Sequence, residues 1–135
     1  VRLVLDSNVL VAALGTRGMC AELFERVLVA HEYVIDRHIL GEVERALRTK
    51  FRLPEARVTE AVALLRGTGQ WVDAASLSAP VSRDPDDDAI LALAKASGSR
   101  LIVTRDEDLL VLNPWEDVEI VRPRDFWPID RAGGR

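Results

Sequence analysis

The side chains best suited to chemistry in this chain are carboxylates set at the ends of apolar runs. Asp6 directly follows Val1-Arg2-Leu3-Val4-Leu5, and Asp106 and Asp108 follow Arg100-Leu101-Ile102-Val103-Thr104. Between them in sequence lie Glu42 and the run Asp84-Pro85-Asp86-Asp87-Asp88. Bringing acids together from such distant stretches is expensive without a cation. Two carboxylates about 5 Å apart repel by roughly 3 kcal/mol at an effective dielectric near 20, and crowding leaves some of them protonated. All the candidates are hard oxygen donors, with no His or Cys among them, which favours one or two Mg²⁺ or Mn²⁺ ions over zinc. Such ions keep water and accept phosphate oxygens. The chemistry implied is phosphodiester hydrolysis by an ion-activated water, with a second ion, if present, steadying the leaving oxygen.

Composition agrees with that reading by exclusion. The chain has 135 residues, with 22 acidic and 18 basic side chains and a formal net charge of −4. That balance lacks the broad positive footprint of a passive nucleic-acid binder, so a bound cation has to supply the local field. Cys20 is the sole cysteine, which excludes a disulfide scaffold and a Cys-rich zinc site. The longest apolar run, Val9 to Leu14, is far short of the ~20 residues of a membrane span. No basic, apolar, small-residue signal stands at the start, so the expected compartment is the cytoplasm and no membrane partner is expected.

The elements that must position the acids alternate in type. Strands are expected at Val1–Leu5, Tyr33–Ile35, Gln70–Asp73 (weakly), Arg100–Thr104 and Val118–Val121, where short β-branched runs end in polar residues. Helical spacing marks Cys20–Ala30, Arg37 to about Thr49, a stretch with Pro54 at its first position that stops at Gly67-Thr68-Gly69, and one from Asp84 to Gly98. A short helix follows Arg105. Ala74 to Val81 reads as a loop, Pro123 interrupts the chain, and Phe126-Trp127 packs back onto the body. One domain is expected over residues 1–130, with a frayed tail at 131–135. Alternation of this kind predicts an α/β fold, a parallel sheet with helices on both faces.

In such sheets ligands gather at the carboxyl ends of the strands, where strand order reverses. If the first and fourth strands are neighbours, Asp6 and Asp106 face each other there. Asp87, in the first turn of its helix, and Glu42, about one turn into its own, point to the same edge. Each residue also has a plainer reading. Asp6, Asp106 and Asp108 suit helix caps, Glu42 a solvated helix face, and the aspartate run a cap plus complement to the helix dipole. Thr104 is a strand residue or a hydroxyl that orients a carboxylate. Arg83 and Arg105 are phosphate contacts or partners of local aspartates. Cys20 reads as buried, His31 and His38 as loop or surface residues, and Trp71, Trp115 and Trp127 as packing groups.

The order of these segments resembles a known family. Val4-Leu5-Asp6-Ser7-Asn8-Val9-Leu10-Val11 looks like the opening strand and turn of PIN-domain nucleases. His38-Ile39-Leu40-Gly41-Glu42-Val43, the stretch from Arg83 to Ala94, and Ile102 to Leu110 are similar to the next three motifs. The resemblance is closest to the branch of toxin components of toxin–antitoxin systems. It implies a three-layer α/β/α sandwich with a central parallel sheet, metal-dependent ribonuclease activity, a homodimer or larger assembly, and a small antitoxin partner. It assigns metal binding and catalysis to Asp6, Glu42, Asp87 and Asp106, with Asn8, Asp84, Asp88, Thr104 and Asp108 in support. Asp87 is preferred within its run because the branch pattern Asp-Pro-x-Asp puts the acid there. Arg105 departs from the pattern, where Gly is frequent.

Two rival readings remain in the sequence. A haloacid-dehalogenase-type phosphatase also begins with an Asp after its first strand, but it needs a second Asp where this chain has Asn8, and a Lys near the site, where only Lys50 and Lys95 exist. The other rival is a non-catalytic module of the same fold that binds RNA or protein.

Overall fold

Five strands build a single sheet, and the computed structural model describes them within residues 1–73, 77 and 79–133. They are β1 (Arg2–Leu5), β2 (Glu32–Ile35), β3 (Gln70–Trp71), β4 (Leu101–Val103) and β5 (Glu119–Val121). All four pairings are parallel, in the order β3-β2-β1-β4-β5. Among the described residues the helices are α1 (Ser7–Gly15), α2 (Met19–Ala30), α3 (Arg37–Thr49), α4 (Glu55–Thr68), α5 (Pro85–Ser97), α6 (Glu107–Leu110) and α7 (Pro123–Arg131). This is the expected three-layer α/β/α arrangement. Leu3, Val4 and Leu5 of the central strand are all fully buried, because helices cover both faces; hence β1 reads as an unbroken apolar run instead of an alternating one. No described helix is long and apolar enough to cross a membrane.

The two helices that carry acids are fixed by their caps. Asp36 ends β2 and accepts the Ile39 N–H at 2.9 Å, starting α3, whose Ile39, Leu40, Val43 and Leu47 are buried. Asp84 accepts the Asp86 N–H at 2.9 Å, and Pro85 begins α5, a position where its missing N–H costs nothing. Gly98 closes α5 in the left-handed conformation (φ 68°), donating to the carbonyls of Ala94 and Lys95.

Several local expectations are corrected. Pro54 precedes α4 as its extended N-cap, with φ −57° and ψ 148°, whereas the end of α4 at Thr68 falls within the expected Gly67-Thr68-Gly69 stop. Gly69 stops it; a Cβ there would come within 2.8 Å of Ile35 and 2.9 Å of Tyr33. Pro123 does not interrupt the chain but opens α7, again as a first helical residue. Phe126 does pack back: it is fully buried and edge-on to both His31 and Trp127, with ring centroids 5.4 Å apart in each case. Trp71 is 42% exposed, so it is not a core group; the Arg66 guanidinium lies 5.7 Å from its ring. Arg131 belongs to α7 and Ala132 and Gly133 form a turn, whereas Gly134 and Arg135 lie outside the described residues. So do Ala74, Ala75, Ser76 and Ser78 of the loop expected at Ala74–Val81.

Candidate active site

Strand order runs outward from β1 to β2 and β3 on one side, and through β4 to β5 on the other. The reversal therefore falls between β1 and β4, whose carboxyl ends flank the crevice. Leu5 is in register with Val103, and the Asp6 N–H continues the ladder to the Val103 carbonyl at 3.0 Å. The residues that follow, Asp6 and Thr104, thus emerge side by side.

Asp6 is buried and held by hydrogen bonds from Ser7, Asn8 and Thr104. Its Oδ1 accepts the Ser7 N–H at 2.7 Å, and its Oδ2 accepts the Thr104 hydroxyl at 2.7 Å. The Thr104 Oγ1 in turn accepts the Asp106 N–H at 3.0 Å. Asn8 ties the two loops together: its Nδ2 donates to Asp6 at 3.4 Å and its Oδ1 accepts the Arg105 N–H at 3.2 Å. Burial raises the Asp6 pKa; the Thr104 and Ser7 hydrogen bonds oppose the rise, and the charges of Glu42 and Asp106 add to it. Thr104 is itself fully buried, so its hydroxyl serves as the joint between two acids. Thr104→Val keeps the shape and removes the joint. It should destabilise the protein by about 1–3 kcal/mol, the cost of stranding a buried polar group. Urea unfolding measures this, and a loss below about 0.5 kcal/mol, the scale of a surface substitution, would contradict the role.

Opposite this pair, α5 brings in its own acids. One carboxylate oxygen from each of Asp84, Asp87 and Asp106 lies within 4.8 Å of the others. Asp87 is 3% exposed, and its pKa is pushed up to about 7. Burial is the main cause, followed by hydrogen bonding with Asp106 and repulsion from Asp106, Asp84 and Asp6. No described basic side chain forms an ion pair with Asp87, which accepts the Ser82 hydroxyl at 3.3 Å. An acid held this way is short of positive charge, and hard oxygens at this spacing fit a divalent cation.

The supporting residues divide. Asp84 joins the cluster while capping α5. Asp88 does not: its carboxylate turns back to accept the N–H groups of Val81 and Ser82, at 2.8 Å for the latter, and so shapes the approach loop. Asp108 donates its N–H to Asp106 Oδ1 at 2.9 Å and pairs its side chain with Arg83 at 3.0 Å. Arg83 is thereby engaged by an aspartate, while Arg105 forms no ion pair among the described residues.

Glu42 faces Asp6 closely enough to raise its pKa, but it is paired with a residue that the sequence alone places in a loop or at the surface. His38 sits in the first turn of α3, with Nε2 at 3.4 Å from Glu42 and 3.5 Å from Asp86. That nitrogen is buried and makes no hydrogen bond, and the three side chains form a second group of close ligand atoms. The signal was the i, i+4 spacing of His38 and Glu42, which puts both on one helix face; Asp86 comes from a distant helix. His31 is also not a surface group: its side chain is 4% exposed and its Nε2 lies 2.7 Å from Asp130, joining α2 to α7. Cys20 is half-buried and burial raises its thiol pKa, as expected of an unreactive cysteine.

The acids thus come from the ends of β1 and β4, the second turn of α3 and the start of α5, gathered at the carboxyl edge of a parallel sheet. A comparison with curated proteins returns no match. A family model of the PIN domain matches residues 2–108, from β1 to the first turn of α6, and so takes in every one of these acids. The chain belongs to the PIN domain family.

Proposed function

We propose that this protein is a Mg²⁺- or Mn²⁺-dependent endoribonuclease and the toxin component of a toxin–antitoxin pair. PIN domains are generally nucleases. The observation that carries the metal-dependent reading is the Asp84–Asp87–Asp106 group, with a buried Asp87 whose pKa is raised to about 7. In this reading Asp6, Asp87 and Asp106 hold the cation, Glu42 completes its shell, and Asp84 supports Asp87. The ion would supply positive charge to the phosphate and activate a water for attack.

The protein's own residues supply the order. Thr104 and Ser7 fix both oxygens of Asp6, so that it cannot swing away as the substrate enters. The Asp108 N–H and the fixed α6 start hold Asp106. Asp88 braces the loop before α5, keeping Asp84 and Asp87 in place. Asn8 engages Asp6 and the Arg105 backbone, a bridging role rather than that of the second acid of a phosphatase. The toxin role, the antitoxin partner and a homodimer or larger assembly rest on the motif resemblance.

The test is cleavage of single-stranded RNA in Mn²⁺ by wild type and by Asp6→Asn. The variant keeps the volume and removes a ligand charge, so cleavage should fall by about a hundredfold or more, since even outer partners of metal ligands cost 10–100-fold, while the circular dichroism spectrum stays native. Equal cleavage by a folded Asp6→Asn protein would refute the assignment.

A further inference from the structure

Sixteen of the eighteen basic residues are arginine, in a chain whose net charge is −4. Several of them are spent on surface acids: Arg2 on Glu32, Arg26 on Asp130, Arg48 on Glu44 and Glu55, Arg83 on Asp108. Four others share one open cleft of about 480 Å³: Arg17 from the α1–α2 connection, Arg105 after β4, and Arg122 and Arg124 at the start of α7. Arg122 is paired with Glu107 at 2.6 Å. Arg17, Arg105 and Arg124 form no ion pair among the described residues.

Two further features reinforce the positive field. The starts of α2 and α7 line the same cleft, and neither has a side-chain cap, so the positive ends of two helices add to the guanidinium charge. The cleft also adjoins a cavity that one of the site acids lines. Arg105 lines both the cleft and a neighbouring cavity of about 560 Å³, whose wall includes Ser7, Asn8 and Glu42.

We infer that this cleft is the track for the phosphodiester backbone of single-stranded RNA, holding the phosphates next to the one placed at the acids. Planar guanidinium forks suit phosphate oxygens. Arg105 sets the cleft beside the proposed cation site, where a strand held in it would present its next phosphate to the ion; that favours a nucleic-acid strand over an acidic polypeptide. The track also gives an acidic protein a way to hold a polyanion: three arginines with no ion pair among the described residues line one cleft beside the site. The choice of RNA as the polyanion rests on the nuclease reading.

The experiment measures binding of a labelled single-stranded oligoribonucleotide by fluorescence anisotropy, with Ca²⁺ present to fill oxygen ligands. Arg17→Gln/Arg124→Gln should weaken binding about tenfold or more. It should also flatten the salt dependence of log K by about 1.4, at roughly 0.7 for each single-strand phosphate that is no longer neutralised. The control, Arg57→Gln/Arg100→Gln, removes the same charge from α4 and from the opposite edge of the sheet, and should bind within about twofold of wild type. Equal weakening by both pairs overturns the track, leaving only a diffuse charge effect. Unchanged RNA affinity in the cleft variant, with loss of polyglutamate binding, overturns it in favour of an acidic protein partner. If wild type cleaves RNA but the cleft variant binds it normally, the track fails and the nuclease reading stands. If wild type never cleaves and the cleft variant alone loses RNA, the track stands and the nuclease reading fails.

Discussion

Asp87→Asn is expected to stabilise the metal-free protein at pH 8 while lowering RNA cleavage by about a hundredfold or more. Both effects come from the same crowding. The native Asp87 titrates at about 7, against an ordinary value of 3.8. Between those values the native state holds a proton that the unfolded chain has released, so stability falls as pH rises through this window. Above about pH 7 the penalty is fully present, on the order of a few kcal/mol. Asparagine has the same shape and no charge, so the penalty disappears with the side chain's ability to bind a cation. Thermal melts in EDTA at pH 5 and pH 8 isolate the effect as a difference between variant and wild type. The two proteins should converge at low pH and separate at high pH, the variant being the more stable. A variant that melts lower than wild type at pH 8 would mean that the ionised carboxylate supports the fold, and the account of a strained acid would be wrong.

The fold was legible because its signals were local and mutually consistent. β1 and β4 are short apolar runs followed by a capping aspartate, directly in β1 and after Thr104 and Arg105 in β4; α3 carries a cap and a periodic apolar face, and α5 a cap and the apolar run Ile90 to Ala94. Alternation predicts a parallel sheet, and Asp6 and Asp106 meet at one edge on the condition that β1 and β4 are neighbours, which the strand order meets. Prolines were the least legible. Pro54 and Pro123 each sit at a helix start, but the ring gives the same sequence signal whether it caps, begins or breaks an element. What holds α7 is tertiary: Phe126 packs on His31, and Asp130 is bound by His31 and Arg26.

The site was legible in its composition and less so in its grouping. Asp6, Asp87 and Asp106 are adjacent because the sheet edge dictates it. Which way Asp88 and Asp84 turn depends on one rotation about α5: Asp84 reaches the cluster, and Asp88 faces the loop at Val81 and Ser82. Spacing in the sequence could not separate them, since four aspartates lie within five residues. His38 was missed for a related reason. Its helical pairing with Glu42 was visible, but its second neighbour, Asp86, is 48 positions away. The arginine cleft was wholly tertiary. Arg17, Arg105 and the Arg122–Arg124 pair come from three separate connections, and net charge hides such a concentration.

A metal titration should also produce a large change in stability. A cation that binds the native acids and not the unfolded chain stabilises by about 2.7 kcal/mol at a hundred times its Kd. For a domain of this size roughly 3–5 °C accompanies each kcal/mol, so Mg²⁺ or Mn²⁺ should raise Tm by about 10 °C at pH 8. The same titration at pH 5 should give a much smaller rise, because protons hold Asp87 below about pH 7 and must leave before the oxygen can ligate. Asp106→Asn should lose most of the rise at pH 8, since it removes both a ligand and the neighbour that raises Asp87. Sodium chloride at matched ionic strength separates ligation from screening, which acts on exposed charges alike. Identical shifts from sodium and manganese, or an Asp106→Asn protein that responds as fully as wild type, would show that the acids at this sheet edge do not work together as a cation site.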